Sequence, residues 1–205
     1  MTPSLFTADH GLSNGQHGFW GHGEDTWPSN MHRSANNIPL IISHPDYKEP
    51  GRHVDNLVGT TDIFATILDI AGCKLDSPET VPGISLSPLL HTENGDFRDE
   101  IFMEQEETRA IRTSQWLFMM RIENTEYNFK HELYDLVNDP NERVDLAQDP
   151  EYADVVAKLS ARLNEFFSDY ANPRWDLWKG GAVKSNSTRP FLWKELWGDD
   201  WIPEY

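Results

Sequence analysis

Residues 6–33 read FTADHGLSNGQHGFWGHGEDTWPSNMHR, and they place Asp9, four histidines and five glycines directly behind an apolar start. Leu5 and Phe6 form a short β-leaning run, so Asp9 and His10 fall at the carboxyl end of a strand, where open α/β sheets place their ligands. A carboxylate beside an imidazole offers a divalent cation a hard oxygen and a nitrogen. Gly11, Gly15, Gly18, Gly21 and Gly23 let the backbone turn tightly, which allows His17 and His22 to return toward one centre. On these residues alone, a Gly-rich surface loop with incidental histidines remains the other reading.

Working outward, IPLIIS at residues 38–43 reads as a second, buried strand closed by Pro45 and Pro50. From Thr60 the pattern turns helical, with Ile63, Phe64, Ile67, Leu68 and Ala71 on one face. Thr61 suits the cap, Asp62 the positive end of the dipole and Gly72 the stop. VPGISLSPLLH is a Pro- and Ser-punctuated connector to a new region at about residue 96.

Three β-leaning runs follow, EIFMEQ, RAIRTSQWLFMMRI and HELYDL, which predict an antiparallel meander. Asp149-Pro150 starts a helix whose Tyr152, Val155, Val156, Leu159, Leu163, Phe166, Phe167 and Tyr170 share a face up to Asn172-Pro173. That helix is expected to cover one face of the meander. The tail carries Trp175, Trp178, Trp193, Trp197 and Trp201. Such an arm either lines a carbohydrate site or wraps back to bury its rings, and wrapping is the reading taken here. The expected organisation is residues 1–95 as α/β core with the histidine loop, 96–172 as a smaller α+β subdomain, and 173–205 as an aromatic tail.

The composition narrows function. Seventeen Lys and Arg against thirty-four Asp and Glu give a formal charge of −17, which repels nucleic acid and anionic membranes. An anionic small substrate stays possible, because a metal or a few convergent cations reverse the potential inside one cleft. Apolar residues make up 38% of the 205-residue chain, including eight Trp and ten Phe, so a real core is expected. Cys73 is alone and forms no intrachain disulfide; its place at the end of an apolar run predicts packing. No apolar stretch approaches the ~20 residues of a membrane span, and the first residues carry no signal-peptide pattern.

The series FTADHG, GQHGFWGHG and NIPLII resembles the C-terminal half of the sulfatases in the alkaline-phosphatase superfamily, whose pattern is a strand, SDHG, GxHG, a GK lysine and RVPLII. VGTTDIFATILDIAG, GISLSPLL, RAIRTSQWLFMM and ELYDLVNDPNERVDLA continue it in order, from residue 5 to about 168. The resemblance implies a partial alkaline-phosphatase-like α/β core followed by a subdomain with an antiparallel sheet and a packed helix. It implies that Asp9 and His10 bind calcium or magnesium and that His22 stands where the family has a sulfate-contacting lysine. His17 matches the GxHG histidine and reads as loop structure. EDTWPSNMHR replaces a shorter linker and is expected to project Trp27, His32 and Arg33 toward substrate, here a sulfated small molecule or glycan.

The family's paired aspartates and its CxPxR or SxPxR motif, the source of the formylglycine nucleophile, are not found in these residues. KLDS after Cys73 excludes that cysteine as the nucleophile. The expectation is therefore the C-terminal portion of a sulfatase, inactive alone, whose partner is the missing N-terminal half or another copy, and whose full-length form is periplasmic or secreted. The competing functions are a phosphonate or phosphate ester hydrolase of the same superfamily, and a non-catalytic truncated or binding protein.

Overall fold

The computed structural model describes residues 2–23, 26, 28–44, 46–47, 51–74, 80–91, 97–122, 129–179 and 198. In chain order its elements are β1 (Ser4–Thr7), β2 (Ser13–Asn14), β3 (Trp20–Gly21), α1 (Arg33–Asn36), β4 (Leu40–Ser43), α2 (Thr61–Ile70) and α3 (Ser87–His91), followed by β5 (Glu100–Gln105), β6 (Thr108–Thr113), β7 (Trp116–Arg121), β8 (Glu132–Asp135) and α4 (Ala153–Tyr170). β1 pairs antiparallel with β4, β2 with β3, and β5 to β8 form a meander in sequence order. Mixed α/β structure of the expected class results.

The meander has four strands where three runs were expected, because RAIRTSQWLFMMRI folds back on itself at Thr113–Trp116. No Gly or Pro marks that turn. The Thr113 hydroxyl oxygen makes it instead, accepting from the amides of Gln115 (3.2 Å) and Trp116 (2.8 Å).

Side-chain alternation then divides the sheet into two apolar faces. Ile111, Phe118, Met120 and Leu133 meet Leu159, Leu163 and Phe167 of α4. Ala110, Leu117, Met119 and Tyr134 point the other way and pack on Met31, in the loop that follows the histidines. The sheet therefore carries a helix on one face and the candidate site loop on the other. Asp149 caps the 3-10 turn that leads into α4 by accepting from the Glu151 amide, as its sequence predicts.

The chain just after α4 packs back on the meander. Arg109 binds Asp176 at 2.7 Å and stacks under Phe167 and Trp178, while the Trp178 indole donates to the Glu106 carbonyl at 3.2 Å. Trp193, Trp197 and Trp201 lie outside the described residues, as do Pro45 and Pro50.

Three local expectations need correction. α2 buries its polar side: Asp62 accepts from the Gly59 and Ile84 amides (2.7 and 2.9 Å) and from Arg98, and the Thr66 hydroxyl accepts from the Leu86 amide at 2.9 Å. Phe64 and Ile67 stay 50% and 56% exposed. The N-cap position is Thr60 rather than Thr61, and it makes no side-chain capping bond; Asp62 in the first turn gathers the three donors instead, for which a carboxylate has the acceptor sites. Second, β4 is half-buried rather than buried, with Ile41 exposed. Third, Cys73 is exposed; its amide closes a Schellman motif on the Leu68 carbonyl (2.9 Å), with Gly72 at φ 67 supplying the left-handed step.

Candidate functional site

The site is built by a hairpin of two very short strands. Ser13 pairs with Gly21 and Asn14 with Trp20, so the chain leaving β3 returns His22 to the neighbourhood of His10. The tip needs left-handed backbone at Gly15 (φ 96), His17 (φ 54) and Gly18 (φ 77). Glycine adopts this without strain, whereas His17 carries a cost on the order of 1–3 kcal/mol that its packing must offset.

Asp9, His10 and His22 come together. The rings of His10 and His22 stack with centroids 3.7 Å apart. The His10 Nδ1 lies 2.8 Å from the Gly11 carbonyl, which only accepts; Nδ1 therefore carries the proton and the Nε2 lone pair is left for a ligand in the neutral ring. That Nε2 is 3.8 Å from Asp9 Oδ2. Asp9 is exposed, and its carboxyl is held below the usual carboxylate range by the backbone amides of Asp9 and His10, with the two imidazoles adding to the effect. An ionised oxygen and an imidazole nitrogen at this separation fit two positions around one hard divalent cation. Calcium takes about six to eight oxygen ligands, so two such atoms would supply only part of one coordination sphere.

Gly11 locks this wall to the next element. Its amide donates to the Ala35 carbonyl at 2.8 Å, and a Cβ there would stand 2.3 Å from the Ser34 carbonyl oxygen. A cavity of about 1150 Å³ opens beside it, running from Asp9 and His10 past Arg33 to Met103 and Arg112.

His32 departs from its expected role toward substrate. It is 2% exposed, with Nδ1 3.0 Å from Glu142 and Nε2 3.7 Å from Glu132. Glu142 also accepts from Arg112 (2.9 Å) and the Arg33 amide (2.9 Å). Burial opposes charge on Glu142, but the hydrogen bonds from His32, Arg33 and Arg112 outweigh it and hold the carboxyl low. Glu132 is likewise opposed by burial and kept low by Arg121 and the Tyr134 hydroxyl. His32 thus anchors the loop to the meander. Ser29 does the same through Glu107, which accepts from its amide (2.5 Å) and hydroxyl (3.0 Å), and through Arg121, which donates to its carbonyl (2.6 Å).

His17 stacks on His32 with centroids 3.6 Å apart, in line with a structural reading. Arg33 is exposed and lines the large cavity. Trp27 lies outside the described residues. Glu142 and Glu132 went unnoticed in sequence, since nothing local marks an acid as the partner of a histidine a hundred or more positions away.

The histidine loop at the end of β1, joined to a meander-and-helix subdomain, has the fold of the alkaline-phosphatase-like sulfatases. Residues 15–169 match the family N-sulphoglucosamine sulphohydrolase, C-terminal, and the chain belongs to that family. A Delta 4,5-hexuronate-2-O-sulfatase of Bacteroides thetaiotaomicron is 29% identical over 181 residues, covering 80% of this chain and 34% of that protein. A structure solved in complex with its substrate D-glucosamine-2-N,6-O-disulfate superposes with a TM-score of 0.69 at 25% identity, over 82% of this chain and 34% of the other. A phosphonate monoester hydrolase of Agrobacterium radiobacter shares the fold, with a TM-score of 0.66 at 23% identity over 89% and 38%. The chain spans about a third of the length of the sulfatase relatives it matches.

Proposed function

We propose that this chain is the C-terminal portion of an enzyme that hydrolyses sulfate esters of a sugar, and that Asp9, His10 and His22 form one wall of its active site. The observation that carries the reading is the convergence of these three side chains, His10 stacked on His22 at 3.7 Å and 3.8 Å from Asp9. Asp9 and His10 would hold Ca²⁺ or Mg²⁺. When bound, such an ion neutralises sulfate oxygens and orients the attacking group. His22 donates a hydrogen bond to a sulfate oxygen, and its protonated form adds positive charge.

The 205 residues contain neither CxPxR nor SxPxR, so the chain alone is expected not to hydrolyse esters. A sulfated sugar is the favoured substrate because the family match and the disulfated glucosamine bound by a structural neighbour agree in chemistry. Phosphonate or phosphate esters are the second reading, supported by the shared fold of the phosphonate monoester hydrolase.

Calorimetric titration of the chain with Ca²⁺, with Asp9→Ala as control, tests the wall. Weak binding abolished by the substitution supports it, and binding indifferent to Asp9 refutes it. Matched sulfate, phosphate and phosphonate esters assayed on the full-length gene product decide between the two chemistries.

A further inference from the structure

On the far side of the histidine loop, a cleft of about 660 Å³ lies between residues 16–37 and the turn that follows β8. Its rim carries the side chains of Arg33 and Arg143, both exposed, and its walls add His17, Ser34, Asn37 and Asn141. Among the described residues neither guanidinium has a carboxylate partner. In a chain of formal charge −17 this is notable, because Arg98, Arg109, Arg112, Arg121 and Arg162 are all paired.

Two acids border the cleft: Glu142 at its floor, and Asp139, which accepts from the amides of Arg143 and Val144 and acts on His17 through its charge. Both oxygens of Glu142 are engaged, one by Arg112 and the other by His32 and the Arg33 amide. Two of the three described non-glycine residues with left-handed backbone, His17 (φ 54) and Glu142 (φ 56), line this one cleft. Backbone held in that region gathers at ligand sites.

We propose that this cleft is a second anion subsite, which binds an oxyanion, a sulfate or a carboxylate, on the sugar next to the one being cleaved. The proposal rests on the sugar-sulfate reading above and adds to it a requirement for a polyanionic saccharide. Arg33 lines both this cleft and the cavity that holds Asp9 and His10, so one extended substrate spans the two. Planar guanidinium forks match both oxyanions bidentately, and the amide and hydroxyl groups of Asn37, Asn141 and Ser34 suit sugar hydroxyls.

NMR titration of the 205-residue chain at low ionic strength, following the His17 ring, tests this with sodium sulfate and sodium glucuronate as separate probes. At least one probe is expected to bind, with affinity reduced about ten-fold or more in Arg143→Gln, the loss of one charge-assisted fork. Arg143→Lys retains part of that affinity, and Asp9→Ala changes it less than two-fold. The probe that binds tighter identifies the oxyanion. Equal affinity in wild type and Arg143→Gln, or binding that disappears with Asp9→Ala, overturns the proposal. Retained Arg143-dependent binding, with no sulfate-ester hydrolysis by the full-length product, would refute the esterase reading and leave the subsite standing. Because Arg143 is exposed, thermal melts of its variants are expected to match wild type.

Discussion

His17 and His32 stack with ring centroids 3.6 Å apart and planes 4° from parallel, one ring exposed and the other buried against Glu142. Partial desolvation, then the neighbouring His32, push the His17 pKa below its ordinary value of 6.5.

A pH dependence follows with a definite sign. Between pH 6.5 and the lowered folded pKa, the unfolded chain binds a proton at His17 that the folded chain does not, so stability falls as pH falls through that window. A second loss begins below about 4.5, where Glu142 and Glu132 protonate in the unfolded chain before they do in the native one. Urea denaturation at pH 7.5, 5.5 and 4 is expected to give a stepwise decline. His17→Gln should flatten the first step and leave the second; an unchanged first step would show that His17 does not set it.

Removing the charge of Glu142 tests the anchor. The residue is 1% exposed and joins Arg112, His32 and the Arg33 amide. Breaking one partner of such a buried set costs about 3–5 kcal/mol. Glu142→Gln is expected to fall in that range by urea denaturation at pH 7. In the double variant with Arg112→Met the losses should be less than additive, since the arginine is then no longer stranded.

How much of this could be seen in the sequence depended on whether the signal was local. Helix α4, its Asp149-Pro150 start and the Gly72 stop of α2 were legible because period and cap chemistry lie within a few residues. So was the grouping of Asp9, His10 and His22, once the glycines between them were taken as turns. The β6–β7 turn was missed because a threonine hydroxyl builds it, without Gly, Pro or Asn. His32 was assigned to substrate because its carboxylate partners stand at residues 132 and 142. The burial of Asp62 in place of Phe64 escaped for a related reason: its donors are Gly59, Ile84 and Arg98, and helical periodicity says nothing about them.

Phe6 and Ile41 stand opposite each other in the β1–β4 pair and are 62% and 60% exposed. With Phe64 and Ile67 also exposed, the protein presents apolar side chains on both a sheet and a helix. Exposed apolar groups on a two-stranded sheet favour association with another chain. The purified chain is expected to self-associate in a concentration-dependent way by sedimentation velocity. Phe6→Ser with Ile41→Thr should shift it toward monomer with little loss in Tm, because neither side chain is buried; a monomeric wild type would contradict this.

Gly11 offers a test of the proposed metal-binding wall that leaves its donor atoms in place. The residue sits between the Asp9–His10 pair and α1, where a methyl group would meet the Ser34 carbonyl oxygen at 2.3 Å. Backbone has to move to relieve that contact, and the Gly11 amide bond to Ala35 and the His10 ring bond to the Gly11 carbonyl move with it. Gly11→Ala should therefore cost about 1–3 kcal/mol of stability, as other overpacking substitutions do. It should also weaken Ca²⁺ binding about ten-fold in the same calorimetric titration, since a loosened shell around ligating groups typically costs 10- to 100-fold in affinity. Gly23→Ala is the matched control: its added carbon stands 3.4 Å from the flexible Gln105 side chain, an ordinary contact. Reduced stability with unchanged Ca²⁺ affinity in Gly11→Ala would mean that Asp9 and His10 do not depend on α1 for their placement.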